Sequence, residues 1–210
     1  MTVSLTPSES YEKHEENARV LLVACGALAR EIVDLVEQNR WTGFDIQCLP
    51  AKFHNTPELI VPGVADILER TRGRYASTYV LYGDCGTGGK LDALLEKEGV
   101  ERIAGPHCYA FFSGNAAFAA KADEEFTAFY LTDYLARHFD KLIWQGLALD
   151  RHPELLKDYF PHYTKVIYLA QTEDVELRRK AEAAARKLGL AYEYRFTGYG
   201  ELKSDLQERA

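Results

Sequence analysis

The stretch "RVLLVACGALAREIVDLVEQNR", residues 19–40, decides the fold. Val20 to Ala24 is an unbroken apolar run, with no alternation of polar residues. Such runs suit strands buried on both faces, as in the middle of a parallel sheet. Gly26 turns the chain, and Leu28, Ile32, Leu35 and Val36 then recur at helical spacing. The stretch reads as a strand, a tight turn and a helix.

The same pattern recurs downstream. "FDIQCLPA" reads as a second strand, followed by the loop "KFHNTPE" and the helix "ELIVPGVADILERTR", with a proline near its start. "STYVLYGD" is the third strand, with the helix "KLDALLEKEG" after a glycine-rich loop, and "VERIAGPHCY" holds a short fourth strand. Residues 115–139 read as helix, as does "PELLKDYF". "KVIYLAQ" and "AYEYRFTG" are the last strands, flanking the helix "VELRRKAEAAARKLGL". Strand–helix alternation of this kind predicts an α/β fold, a mainly parallel sheet flanked by helices and built of Rossmann-like βα units. A single domain is expected over 18–210, with two lobes around a cleft as the alternative, after a flexible leader over 1–17.

Composition narrows the function classes. The chain has 210 residues, enough for one substantial core, and 47% of them are hydrophobic, which fits a globular protein. A net charge of −7 argues against non-specific grip on nucleic acid or on an anionic membrane. No apolar run is long enough to span a bilayer, and the polar, acidic first residues lack the centre of a secretory signal. A cytoplasmic setting is expected, in which the four cysteines are thiols or ligands rather than disulfides.

Ligands in open α/β sheets bind outside the carboxyl ends of the strands. Cys25 ends the first strand, His54 and Asn55 follow the second, Asp84 and Cys85 the third, and His107 and Cys108 the fourth. Gln171 and the Gly198–Glu201 segment follow the last two, so six segments are expected to share one rim. Cys25, Cys85 and Cys108 could bring three thiolates to one point. Three such ligands hold a zinc ion with one position open for water or substrate, or a four-iron cluster with one free iron. The helix starts after Cys25 and Cys85 would favour thiolate over thiol. Gly26, Gly86 and Gly105 would let backbone approach a bulky centre. Small cysteines packing the strand tops, and a thiol nucleophile with His54 or His107 as base, are the competing readings. Cys48 lies inside a strand with no glycine or histidine beside it and reads as core.

"YGDCGTGGK", residues 82–90, resembles a phosphate loop, but Leu91 stands where the nucleotide-binding loop needs Ser or Thr. Thr87, Gly88, Gly89 and Lys90 are instead candidates to hold an anionic group of a small-molecule substrate. His107 and His54 are candidates for proton transfer. Asp84 would orient a histidine or a substrate amine, or cap the following helix. Asn55 and Tyr109 are candidate pocket residues. "FTAFYLTDYLARHF" offers a face for a homo-oligomer, with core packing as the alternative.

"ACGALAREI", "LPAKFHNTPELI", "YGDCGTGGKLD" and "GPHCYAFFSG" resemble the signature blocks of the domain-of-unknown-function 1638 family of bacteria and archaea. "HPELLKDYF", "VIYLAQTED" and "TGYGEL" are similar to its C-terminal blocks. The resemblance implies a cytoplasmic α/β protein whose defining blocks contain Cys25, Cys85 and Cys108 but not Cys48. The layout is also similar to that of quinolinate synthase, which holds an iron–sulfur cluster by three cysteines from three α/β units. The expectation is a metal-dependent enzyme for a small anionic molecule, with lyase, hydrolase and transferase chemistry all open. A carrier that binds and delivers a metal or cofactor, and a metal-free thiol enzyme, are the alternatives.

Overall fold

In the computed structural model, which describes residues 19–210, Val20–Cys25 forms the strand β1, and its neighbours show why. It pairs in parallel with β2 (Phe44–Leu49) on one side and β3 (Ser77–Leu81) on the other. Leu21, Leu22, Val23 and Ala24 are fully buried. Only a strand covered on both faces takes an uninterrupted apolar run, and each buried Leu or Val side chain contributes about 1.5–3 kcal/mol. The helix α1 (Ala29–Asn39) turns Leu28, Ile32 and Leu35 inward. The leader expected over 1–17 lies outside the described residues.

After β2 the chain makes two short 3-10 turns, Ala51–Asn55 and Pro57–Leu59, and enters α2 (Ile60–Thr71). Pro62 sits in the first turn of α2, where a missing N–H breaks no helical bond. β3 leads through the glycine loop to α3 (Lys90–Glu98) and to the two-residue β4 (Glu101–Arg102). The four parallel strands lie in the order β2-β1-β3-β4.

The chain divides into two compact units, residues up to Cys108 together with Leu202–Ala210, and Tyr109–Glu201. In the first, Tyr79 donates its hydroxyl to Asp205 at 3.0 Å and Arg209 lies 3.6 Å over the Tyr79 ring. These contacts fasten the chain terminus beside β3.

The second unit has its own parallel sheet, β5-β6-β7, of Ala128–Leu131, Lys165–Ala170 and Ala191–Phe196. The rim expected for six segments is therefore divided. Cys25, His54, Cys85 and Cys108 follow strands of the first sheet, whereas Gln171 and Gly198 follow strands of the second. β6 is its buried centre, with Val166 to Ala170 all inaccessible.

The expected helix over 115–139 is in fact α5 (Asn115–Ala120), β5 and α6 (Asp133–Phe139), preceded by α4 (Cys108–Ser113). "FTAFYL" is apolar at nearly every position, so periodicity could not separate strand from helix. Pairing with β6 decides it, and Thr132, extended, accepts a bond from the Leu135 amide to start α6. "PELLKDYF" forms a 3-10 turn and the one-turn α7 (Leu156–Tyr159). α8 (Val175–Leu188) is capped by Asp174, and a last helix, α9 (Gly200–Gln207), follows β7. No described helix is long and apolar enough to cross a membrane.

Candidate functional site

The strand order of the first sheet places its site. From β1 the chain crosses to β2 on one side and then returns to β3 on the other. Ligands in open α/β sheets bind outside the carboxyl ends of the strands at such a reversal, here beyond β1 and β3. β5, β6 and β7 run in sequence order, with no reversal among them.

Two glycines press the strand-end loops together. A Cβ on Gly26 would stand 2.8 Å from the Leu49 carbonyl oxygen, which accepts the Gly26 amide at 2.8 Å. A Cβ on Gly83 would stand 2.7 Å from the His107 backbone nitrogen and Cα. Across the same gap Cys85 N–H donates to Pro106 O at 2.9 Å and Asp84 N–H to Gly105 O at 3.3 Å. Arg102 braces the region, its Nη1 donating to the carbonyls of Ile103 at 2.9 Å and Gly105 at 3.2 Å. Cys25 at the end of β1, Cys85 in the glycine loop and Cys108 at the start of α4 thus adjoin segments that backbone contacts hold in place.

Cys25 is buried, and its sulfur receives the Ala27 amide at 3.3 Å. Its Sγ lies 3.6 Å from His54 Nδ1. The His54 ring stacks over Tyr82 at 6.4 Å. His54 Nδ1 is also 3.2 Å from the Ala51 carbonyl. The tautomer that satisfies that carbonyl carries its proton on Nδ1 and leaves Nε2 as the basic nitrogen. Cys85 is half-buried and has φ of 48°, a left-handed conformation uncommon outside glycine.

Burial and neighbouring charge set the ionisation of these side chains. Burial pushes the Cys25 thiol up to about 11, against a smaller opposite pull from the Ala27 amide. Burial, reinforced by the charge of Cys25, pushes Cys85 up to about 12. Cys108 is raised well above the ordinary range by burial and then by Cys85 and Cys25. The helix starts were expected to favour thiolate. Desolvation outweighs them, because an isolated thiolate loses more hydration than nearby dipoles return. Desolvation of the ring lowers both His107 and His54, although His54 is exposed as a whole residue, and His54 adds to the lowering of His107.

The glycine loop has an occupant of its own. Asp84 accepts the Thr87 hydroxyl at 2.8 Å, the Gly89 amide at 2.8 Å and the Gly88 amide at 3.2 Å. Those bonds, the Gly89 amide foremost, hold its carboxyl below the ordinary range. The amides expected to face a substrate anion therefore face Asp84. Its role here is the capping one. Lys90 is exposed at the start of α3, and Asn55 is exposed at the end of its 3-10 turn. Tyr109 belongs to the second unit, where its ring stacks 5.2 Å from Tyr130. Cys48, half-buried, pairs with Ala24 across β1 and β2.

Sequence reasoning missed Tyr82, Arg102 and Glu31. The sequence places Tyr82 and Arg102 only within the third and the short fourth strand. Glu31 is only 3% exposed, on the α1 face shared by Leu28, Ile32 and Leu35. A carboxylate inside an apolar helical face was a legible signal.

A surface groove of about 510 Å³ lies elsewhere, in the second unit, lined by residues that include Pro153, Phe160, Tyr163 and Leu188. It gathers no cluster of reactive side chains, so the chemistry points to the cysteine loops. Among the described residues, no three His, Cys, Asp or Glu side chains stand grouped as a ready metal site. No curated protein and no solved structure matches the chain. The family model described as "Protein of unknown function (DUF1638)" matches residues 48–206, a span that takes in Cys48, Cys85 and Cys108 and leaves out Cys25, the reverse of what was expected for Cys25 and Cys48. Since that span is most of the chain, this protein belongs to the DUF1638 family.

Proposed function

We propose that this protein is a metal-dependent enzyme for a small molecule, in which Cys25, Cys85 and Cys108 hold a zinc ion or an iron–sulfur cluster with one position left for substrate. The observation that supports the reading is the placement of Cys25, Cys85 and Cys108 at the carboxyl end of the first sheet, beside its topological switch point. The charge of Cys25 raises Cys85, and the charges of Cys85 and Cys25 raise Cys108, which supports it. A bound metal would supply Lewis acidity toward one substrate atom and the positive charge that buried thiolates lack.

The remaining groups take roles from their geometry. His54, neutral and with Nε2 as its basic nitrogen, can exchange a proton with substrate, as can the neutral His107. Tyr82 stacks on the His54 ring and helps to orient it. Asp84 keeps the glycine loop in shape, which leaves Lys90 to meet an anionic substrate group. All four cysteines are free thiols, which supports a reducing, cytoplasmic setting.

The metal-free thiol reading is weaker on two counts. Burial keeps the thiols protonated near neutral pH, and the Nδ1 facing Cys25 is the nitrogen that carries the proton. Elemental analysis of protein purified without oxygen tests the reading, beside Cys25→Ser, Cys85→Ser and Cys108→Ser. A stoichiometric metal that each substitution removes is the expected result. A metal-free wild type that cannot be loaded, with variants indistinguishable from it, would sink the reading. Metal passed readily to a chelator, with no turnover on any substrate, would make the protein a carrier.

A further inference from the structure

β7 lies at one edge of the second sheet, whose order is β5-β6-β7. Ala191 N–H donates to the Thr164 carbonyl at 3.1 Å, and Thr197 N–H to the Ala170 carbonyl at 2.9 Å. The odd-numbered residues therefore turn their backbone groups toward β6, and the alternation of a strand turns those of Tyr192, Tyr194 and Phe196 outward. No strand among the described residues pairs along that outer edge, and an open edge is a template for another strand. The same alternation puts Tyr192, Tyr194 and Phe196 on one face of the sheet and Glu193 and Arg195 on the other. On the aromatic face Tyr194 packs against Tyr168, and Arg178 lies 4.5 Å over its ring, whereas Phe196 is 55% exposed. On the other face Lys165 donates to Glu193 at 3.0 Å and Arg195 to Glu125 at 3.0 Å, which holds both charges in place on the sheet.

The order of residues in β7 is symmetric about Tyr194. Glu193 and Arg195 flank it, and the aromatic rings of Tyr192 and Phe196 flank those. We propose that β7 pairs antiparallel with β7 of a second copy of this chain, across a two-fold axis at Tyr194, and joins the two three-stranded sheets edge to edge. In that register the outward backbone groups of Tyr194 meet those of Tyr194 in the second copy, and those of Tyr192 meet those of Phe196. Facing residues of this kind exchange both N–H and C=O bonds. Glu193 then stands opposite Arg195 of the second copy in the closer, non-hydrogen-bonded pair, with about 4.5 Å between Cα atoms, where opposite charges stabilise the pairing. Tyr192 of one copy covers the exposed Phe196 of the other. A slip by two residues would keep the backbone bonds but set Glu193 against Glu193 or Arg195 against Arg195, so the charges fix the register. β5, at the other edge, is Ala128–Leu131 and has no charged residue to do this. The dimer is independent of the cysteine site.

Analytical ultracentrifugation of the full chain over a concentration series tests this, with far-ultraviolet dichroism to check folding. Wild type is expected to sediment as a dimer that dissociates on dilution. Glu193→Arg sets arginine against arginine across the axis, and Arg195→Glu sets glutamate against glutamate. Each alone is expected to raise the dimer dissociation constant by about 10–100-fold. An equimolar mixture of the two variants restores opposite charges at both positions and is expected to dimerise as wild type does. A wild type that stays monomeric at every concentration would overturn the proposal, as would a dimer that neither substitution weakens. A mixture that binds no more tightly than either variant alone would overturn the register and the proposal with it. Should a charge variant not fold, Phe196→Pro decides, since the outward Phe196 N–H makes no bond to β6 and its removal breaks bonds only across the axis. A Phe196→Pro dimer as tight as wild type would overturn the proposal.

Discussion

Gly83→Ala is the sharpest test of how the site is assembled. The added methyl would stand 2.7 Å from the His107 backbone, where an ordinary Cβ contact begins at 3.4 Å. The segments at Gly83 and His107 must then part by about 0.7 Å, because neither is a flexible side-chain end that can swing aside. The Cys85–Pro106 bond, now 2.9 Å, and the Asp84–Gly105 bond, now 3.3 Å, both leave hydrogen-bonding range. Overpacking and two weakened backbone bonds together cost about 2–5 kcal/mol. Equilibrium urea unfolding measures this, followed by Trp41 fluorescence in a Trp144→Phe background so that the first unit alone reports. Gly43→Ala is the control, since no atom lies within 4 Å of its Cβ position and its φ is not positive. It should change stability by less than about 0.5 kcal/mol. Gly83→Ala should also weaken metal binding, because Cys85 and Cys108 ride on the parted segments. A Gly83→Ala protein as stable as the Gly43→Ala control would refute the close approach and the site geometry built on it.

Other outcomes follow from single contacts. Loading with zinc should protect Cys25, Cys85 and Cys108 from alkylation and leave Cys48 unchanged, read as modified sites by mass spectrometry; equal protection of Cys48 would contradict the assignment. Asp133 is buried and accepts from Tyr168 at 2.6 Å, the Gln171 and Thr172 amides and the Thr172 hydroxyl. Asp133→Asn turns an amide donor toward these donors and should cost about 3 kcal/mol in urea unfolding; a cost below about 1 kcal/mol would count against the network. Asp174 accepts the Glu176 and Leu177 amides at the start of α8, and Asp174→Ala should lower stability by about 1 kcal/mol. Burial alone would raise the Glu125 carboxyl, but the Arg195 and Tyr130 hydrogen bonds and nearby cations leave it lowered. Because its folded value is depressed, Glu125 stabilises the protein above its ordinary value of 4.5 and loses that contribution as pH falls through the lowered one. Stability measured down the acid limb should therefore fall more steeply in wild type than in Glu125→Gln, and parallel limbs would contradict this.

The sequence alone determined the strand and helix alternation, because β1 and the Val166–Ala170 stretch of β6 are continuous buried runs and α1 and α8 keep a helical period. It also marked the cysteine and histidine positions, since each follows a strand and a strand's end is readable from where its apolar run stops. It could not separate strand from helix in "FTAFYL", whose side chains suit either, and only pairing with β6 settled that segment. Nor could it assign the strands to two sheets, since parallel partners far apart in the chain leave no local mark. Tertiary structure alone decided that Asp84 turns into its own loop and that desolvation outweighs the helix starts at Cys25 and Cys85. Apolar periodicity is local and survives in the order of residues. Desolvation and charge depend on which distant segments close over a group, and that is known only once the chain has folded.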